Sequence, residues 1–137
     1  MTLHGFSDGA SRGNPGDSGI GIVIRTPEGE KLLEEGAYIG TTTNNVAEYT
    51  AFLALLDKVR QMTCTHLIVH SDSELMVRQL TGKYKVRNAN LREYYQKAID
   101  MLAQLPFPVE IRHVVREENS EADRLANMGI DRHKQVL

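Results

Sequence analysis

The chain has no tryptophan, one cysteine and four prolines among its 137 residues. Cys64 alone can form no internal disulfide and no cysteine-based zinc site, which leads us to expect a reducing, cytoplasmic setting. Long apolar runs are missing too. Ile20 to Ile24, interrupted by a glycine, and Leu53 to Leu56 are far too short to span a bilayer, so no membrane partner is expected. No basic start leads into an apolar stretch near Met1, so no signal peptide is expected. Repeats, low-complexity tracts and flexible linkers are lacking, which predicts one domain over residues 1–130 with a frayed tail at 131–137. Charge of one sign is also scarce. Sixteen Lys+Arg stand against 18 Asp+Glu, a net −2, which argues against gripping nucleic acid through overall charge alone. A 41% hydrophobic and 25% charged composition excludes a disordered chain.

What is present is a change of character along the chain. Leu3 to Asp8 forms a short strand pattern closed by the glycine-rich stretch Gly9 to Gly16. Gly19 to Arg25 alternates, with Ile20, Ile22 and Ile24 on one face and Gly19, Gly21 and Val23 on the other. Thr26-Pro27-Glu28-Gly29 is a turn signal, and Glu30 to Ile39 returns as a third strand. Helix and strand then alternate. The helical period runs over Asn45 to Met62, a strand over His66 to His70, and a short helix over Ser73 to Thr81, ended by Gly82. Leu91 to Leu105 is a helix stopped before Pro106, and Val109 to Val115 is the last strand. Asn119 to Met128 is the final helix, with Gly129 as its expected C-terminal cap. The fold class that follows is α/β: a mixed five-stranded sheet, three antiparallel strands then two parallel ones, with helices on both faces.

Four carboxylates fall in informative places, each with a plainer use. Asp8 ends the first strand, where an aspartate also suits a turn. Asp72 ends the fourth and could cap the following helix. Asp123 lies one turn into the last helix, where an acid complements the dipole. Glu48 continues the apolar stripe of Phe52, Leu55 and Val59, a costly position unless the carboxylate is paired, hydrogen-bonded or metal-bound. Its alternative is a capping-box glutamate three residues after Asn45. Asp8 and Asp72 end strands that the topology can place side by side, and sites in open α/β sheets collect beyond such strand ends. Four converging carboxylates would repel one another without a cation. Magnesium suits an all-oxygen donor set, Mn²⁺ accepts the same ligands, and two ions about 4 Å apart can drive phosphodiester cleavage.

The chain closely resembles the type 1 ribonuclease H family in its compact form. The resemblance is carried by Phe6 to Gly16, Thr42-Thr43-Asn44-Asn45-Val46-Ala47-Glu48, Ser71-Asp72-Ser73 and Asn119 to Ala126, in the family's order. It implies a ribonuclease H-like sheet and an endonuclease that hydrolyses the RNA strand of RNA/DNA hybrids, leaving 5′-phosphate and 3′-hydroxyl ends. The sequence itself is silent on oligomeric state, and a compact monomer is the default expectation. Asp8, Glu48, Asp72 and Asp123 match the metal-binding, catalytic carboxylates for two Mg²⁺ ions, Asp8 and Asp72 being shared most directly between the ions and the scissile phosphate. Glu48 would stand on the leaving-group side, near a 2′-hydroxyl, and Asp123 on the water-activating side. The turn Gly13-Asn14-Pro15-Gly16 is expected to bring backbone close to the substrate, since glycine permits such approach. Asn14, Asn44 and Asn45 match positions lining the hybrid's minor groove, and Thr43, joined by Asn88, a pocket for a DNA-strand phosphate. Duplex RNA is a further candidate substrate, since its minor-groove contacts would be similar.

Three departures from the family pattern stand out. The basic protrusion of larger members is reduced to Gly82 to Asn90, yet Lys83, Lys85, Arg87 and Arg92 with Tyr84 make a short basic edge suited to phosphates. The histidine many members carry after the last strand is absent from Val115 to Asn119. Arg116 and Glu117 are the candidates for its auxiliary role, whereas His113 is expected to pack or pair locally. Glu74 stands where glutamine is common. Two rival functions are a 3′–5′ exonuclease, disfavoured by Asp8-Gly9-Ala10 in place of Asp-x-Glu, and a nucleic-acid-binding module that no longer cuts. If four of the 18 acids are ligands, the rest of the surface is net basic, and the objection from overall charge falls away.

Overall fold

A computed structural model describes residues 1–136. The elements are β1 (Thr2–Gly13), β2 (Gly16–Arg25), β3 (Lys31–Thr42), α1 (Asn44–Val59), β4 (His66–Ser71), α2 (Glu74–Leu80), α3 (Ala89–Gln104), β5 (Val109–His113), a 3-10 turn (Arg116–Asn119) and α4 (Ser120–Val136). The five strands form one sheet in the order β3-β2-β1-β4-β5. β1–β2 and β2–β3 pair antiparallel, β1–β4 and β4–β5 parallel. Helices cover both faces, as the alternation in β2 implies. The isoleucine face packs with α1 in a core that includes Leu3, Ile22, Ile24, Phe52, Leu55, Leu56, Leu67 and Val69. Phe52 and Leu55 are fully enclosed, so truncating either to Ala costs about 2–5 kcal/mol. The glycine face lies under α4. A Cβ on Gly21 would stand 2.0 Å from the Ala122 carbonyl oxygen, so helix and strand approach more closely there than a side chain allows. Among the described residues no helix is long and apolar enough to cross a membrane.

The structure corrects several boundaries, and the reasons are physical. The glycine-rich stretch is mostly strand. β1 continues to Gly13, pairing Gly9 with Ile20 and Arg12 with Asp17, and only Asn14-Pro15 turns the chain. The caps fall one or two residues from the expected places. Thr43, not Asn45, caps α1 by accepting from the Val46 N–H, and Ser73, not Asp72, caps α2 by accepting from Met76. Both carboxylates that had a capping alternative are thereby free of that duty. β5 ends at His113 rather than Val115.

Gly129 is not a cap but an interior residue of α4, where a Cβ would come within 2.6 Å of the Ala37 backbone. The helix therefore continues through the segment expected to fray. Arg12 pairs with Asp131 at 2.6 Å, and the His133 ring stacks on Tyr38 with centroids 3.6 Å apart. Leu137 lies outside the described residues.

Candidate active site

β1 and β4 run parallel as far as the pair Phe6↔His70, after which β4 stops and β1 goes on. Asp8 lies just beyond that last pair, and Asp72 follows the end of β4 at Ser71. The first turns of α1 bring Glu48 to the same gap, because Gly9 lets the helix down onto the strand: a Cβ there would stand 2.2 Å from the Ala47 carbonyl carbon. The Gly9 N–H donates to Glu48 Oε1 at 2.9 Å. Carboxylate oxygens of Asp8, Glu48 and Asp72 all lie within 4.8 Å of one another. From the opposite face α4 brings Asp123 to the same open cleft of about 690 Å³. Asp8 is directly across from Gly21, the residue over which α4 packs.

Asp8 and Glu48 are buried, 4% and 6% exposed. Burial, followed by the charges of Glu48 and Asp72, drives the Asp8 carboxyl far above the usual carboxylate range. Burial also raises Glu48, with Asp72 and Asp123 adding to the rise, while the Gly9 N–H and the charge of Arg116 pull it back. A cluster of oxygen donors that repel one another in a desolvated cleft is what a hard divalent cation neutralises. The donor set fits such an ion, with Asp8, Glu48 and Asp72 as its nearest holders.

A second, smaller cavity of about 230 Å³ lies beside the first, lined by Asn14, Thr43, Asn45, Asn88 and Asn90 among others. The N-termini of α1 and α3 both open here. Thr43 caps α1, and Asn88 caps α3 by accepting from the Leu91 N–H at 3.1 Å. Asn14 Oδ1 accepts from the Asn44 N–H at 3.1 Å and ties the β1–β2 turn to the start of α1.

The family described as reverse transcriptase-like matches residues 6–129. A bifunctional protein of Mycobacterium tuberculosis is 40% identical over 126 residues, 91% of this chain but 34% of that protein, so the chain spans about a third of that relative's length. A ribonuclease H of Coxiella burnetii is 32% identical over 140 residues, covering 92% of this chain and 88% of that one. The chain belongs to the ribonuclease H family. Among solved structures, LC11-RNase H1 in complex with RNA/DNA hybrid is 39% identical and superposes with a TM-score of 0.91 over 96% of this chain and 98% of its own.

Within this ribonuclease H fold the structure brings the expected residues into two groups. Asp8, Glu48, Asp72, Asp123 and Asn44 line the larger cleft; Asn14, Thr43, Asn45 and Asn88 line the smaller. Gly13 lines neither. It adopts a positive φ of 114° at the end of β1 and shapes the turn that presents Asn14. Arg116 faces the larger cleft and Glu117 is not among the residues that line it. His113 differs from expectation. It is exposed at the end of β5 and lines the cleft rather than packing locally. Glu74 also lines the cleft, 3.4 Å from Arg78. Arg78 in turn covers the exposed Tyr84 ring of the basic edge at 5.4 Å.

One residue beside the carboxylate cluster has no role in the sequence reading. Asn119, 1% exposed, donates its amide to the Ser7 carbonyl at 2.9 Å and to Asp72 Oδ1 at 3.3 Å, holding Asp72 against β1. Its only sequence signal is an asparagine at a helix start, which suits a cap equally well.

Proposed function

We propose that the chain is a metal-dependent endoribonuclease that hydrolyses the RNA strand of RNA/DNA hybrids and leaves 5′-phosphate and 3′-hydroxyl ends. The observation that carries this reading is the convergence of Asp8, Glu48 and Asp72 within 4.8 Å at the point where β1 and β4 part, with Asp123 in the same cleft. These four residues would hold two divalent ions. When bound, Mg²⁺, or Mn²⁺ in its place, supplies a more acidic water and positive charge at the leaving oxygen.

The chain's own residues do the rest. Glu48 is fixed by the Gly9 N–H and Asp72 by Asn119, so both carboxylates are oriented before substrate arrives. Asn14, Asn44 and Asn45 offer amides to 2′-hydroxyls, the groups that distinguish RNA from DNA. Thr43 and Asn88, at two helix N-termini, offer hydroxyl, amide and backbone donors to a DNA-strand phosphate. Arg116 brings a positive charge to the cleft, and with His113 beside it takes the auxiliary place of the missing loop histidine. Lys83, Lys85, Arg87 and Arg92 continue the phosphate contacts along the hybrid, the monomer being sufficient for the whole footprint. Duplex RNA is a secondary substrate in this reading.

Incubating the protein with labelled hybrid, duplex RNA and duplex DNA tests it. The hybrid's RNA strand is expected to be cut at internal sites, and duplex DNA left whole. Release of single nucleotides from a 3′ end would favour an exonuclease, and binding of hybrid without cleavage would favour the non-cutting module.

A further inference from the structure

Arg12 has no part in the mechanism above, yet it joins the two sides of the larger cleft. It lies four residues beyond Asp8 on β1, on the same strand face, and its guanidinium reaches across to α4. Nη1 donates to Asp131 Oδ1 at 2.6 Å, and Nη2 donates to Asn127 Oδ1 at 3.1 Å. Asn127 turns its amide nitrogen the other way. It donates to the Asp123 carbonyl at 3.0 Å and to Asp123 Oδ1 at 3.3 Å. The amide has only one workable orientation: a guanidinium offers donors alone, a carboxylate acceptors alone, so Oδ1 must meet Arg12 and Nδ2 must meet Asp123.

The arrangement matters because Asp123 stands apart from the other three carboxylates. Asp8 lies on β1, Asp72 immediately follows the neighbouring strand β4, and Glu48 is tied to Gly9 of β1. Asp123 comes from a helix on the other face of the sheet, so its carboxylate is placed only as well as α4 is placed on β1 and its own side chain is held. Residues 123, 127 and 131 recur at four-residue intervals along one stripe of α4, and Arg12 binds the last two of them.

We propose that Arg12 and Asn127 are positioning residues that hold the Asp123 carboxylate toward a divalent cation in the cleft, with Asp131 anchoring the guanidinium. The inference rests on the metal-dependent reading of the site. Asp131 accepts from Nη1 and Asn127 from Nη2, so both terminal nitrogens of Arg12 have partners on α4. Partners of this kind behind a metal ligand change metal affinity by about 10–100-fold when removed.

The test compares the full chain with Arg12→Ala, Arg12→Lys, Asn127→Leu and the Arg12→Ala/Asn127→Leu double variant. Leucine keeps the shape of asparagine and removes all three side-chain hydrogen bonds. Mn²⁺ binding is measured by calorimetry on substrate-free protein, Mg²⁺ dependence by hybrid cleavage, and integrity by urea unfolding. Each alanine or leucine variant is expected to weaken Mn²⁺ binding and to raise the half-maximal Mg²⁺ concentration about tenfold, with hybrid KM at saturating Mg²⁺ unchanged. Arg12→Lys recovers part of the loss, and the double variant is no worse than Asn127→Leu, since the link is already broken. Unchanged metal binding in both single variants overturns the proposal. So does a raised hybrid KM at unchanged metal dependence, which would assign Arg12 to the substrate backbone, and so do losses that add fully in the double variant. If the wild-type chain cuts no hybrid, the calorimetric arm still decides, so the two failures are distinguishable.

Discussion

Gly9 and Glu48 depend on each other. The Gly9 N–H holds Glu48 Oε1 at 2.9 Å, and only the missing side chain at Gly9 lets the helix that carries Glu48 come near enough to be held. Strand and helix thus come together closely at Gly9, and the placement of the Glu48 carboxylate is a consequence of that packing.

Substituting Gly9 should therefore damage fold and site together. A methyl placed 2.2 Å from the Ala47 backbone meets peptide rather than a flexible side chain, and must push α1 off the sheet. Gly9→Ala is expected to lose about 3 kcal/mol or more of stability by urea unfolding, and to lose hybrid cleavage even where it remains folded. Gly29→Ala, in a turn with nothing within 4 Å of the added carbon but a positive φ, should cost about 1 kcal/mol and keep activity.

Asp8→Asn removes a charge without changing size. Cleavage should fall to background, while the metal-free fold should gain stability of about 1–3 kcal/mol, because a buried and repelled carboxylate is neutralised. The sign with pH follows from the raised Asp8 and Glu48 carboxyls, whose ordinary values are 3.8 and 4.5. A group that holds its proton more tightly when folded adds stability below its unfolded value and loses that contribution as pH rises toward its folded value. In EDTA the melting temperature of Asp8→Asn should exceed that of wild type by a margin that widens from acidic to neutral pH. Glu121 and Asp131 are lowered by their ion pairs and act in the opposite direction, but they are common to both proteins and cancel in the difference. A margin that shrinks with rising pH would contradict the account of the cluster.

Arg116 faces the cleft and draws the Glu48 carboxyl downward. Arg116→Ala removes a positive charge from the cleft and should lower kcat by about 100-fold and shift the pH–rate profile. Glu117→Gln, at a residue that does not line the cleft, should leave the profile as it is. Unchanged profiles in both would remove the auxiliary role from this turn.

The basic edge predicts a salt effect rather than a catalytic one. In the non-cutting Asp8→Asn background, Lys83→Ala, Lys85→Ala and Arg87→Ala should each weaken hybrid binding. Each should also reduce the slope of log affinity against log salt by about 0.9 if it contacts a phosphate. Titrations over a salt series check this, and a slope unaffected by all three substitutions would make the loop a solvated surface.

How far the sequence discloses this structure varies by residue, for physical reasons. The alternation of isoleucine and glycine in β2 foretells both faces, one for α1 and one for α4, because strand periodicity is local. Glu48 is legible for the same reason: a carboxylate on the apolar stripe of a helix asks for a partner. Gly9 and Gly129 mislead, since turns, caps and close packing all select glycine and only the tertiary structure tells them apart. Asn119 and the Arg12–Asn127 contact are beyond sequence reading. Their partners lie 112 and 115 residues away, and nothing in a run of neighbours marks an amide that bonds across the fold. The fold class and the four carboxylates could be named from motifs, whereas what holds them in place could not.

The most direct measurement is the cleavage rate of an end-labelled RNA/DNA hybrid by chelator-treated protein as Mg²⁺ or Mn²⁺ is restored. The account predicts no cleavage in EDTA, recovery with either ion, 5′-phosphate ends on internal RNA fragments, and none of this in Asp8→Asn. Cleavage that persists in EDTA, or a hybrid left intact in both metals, would contradict it.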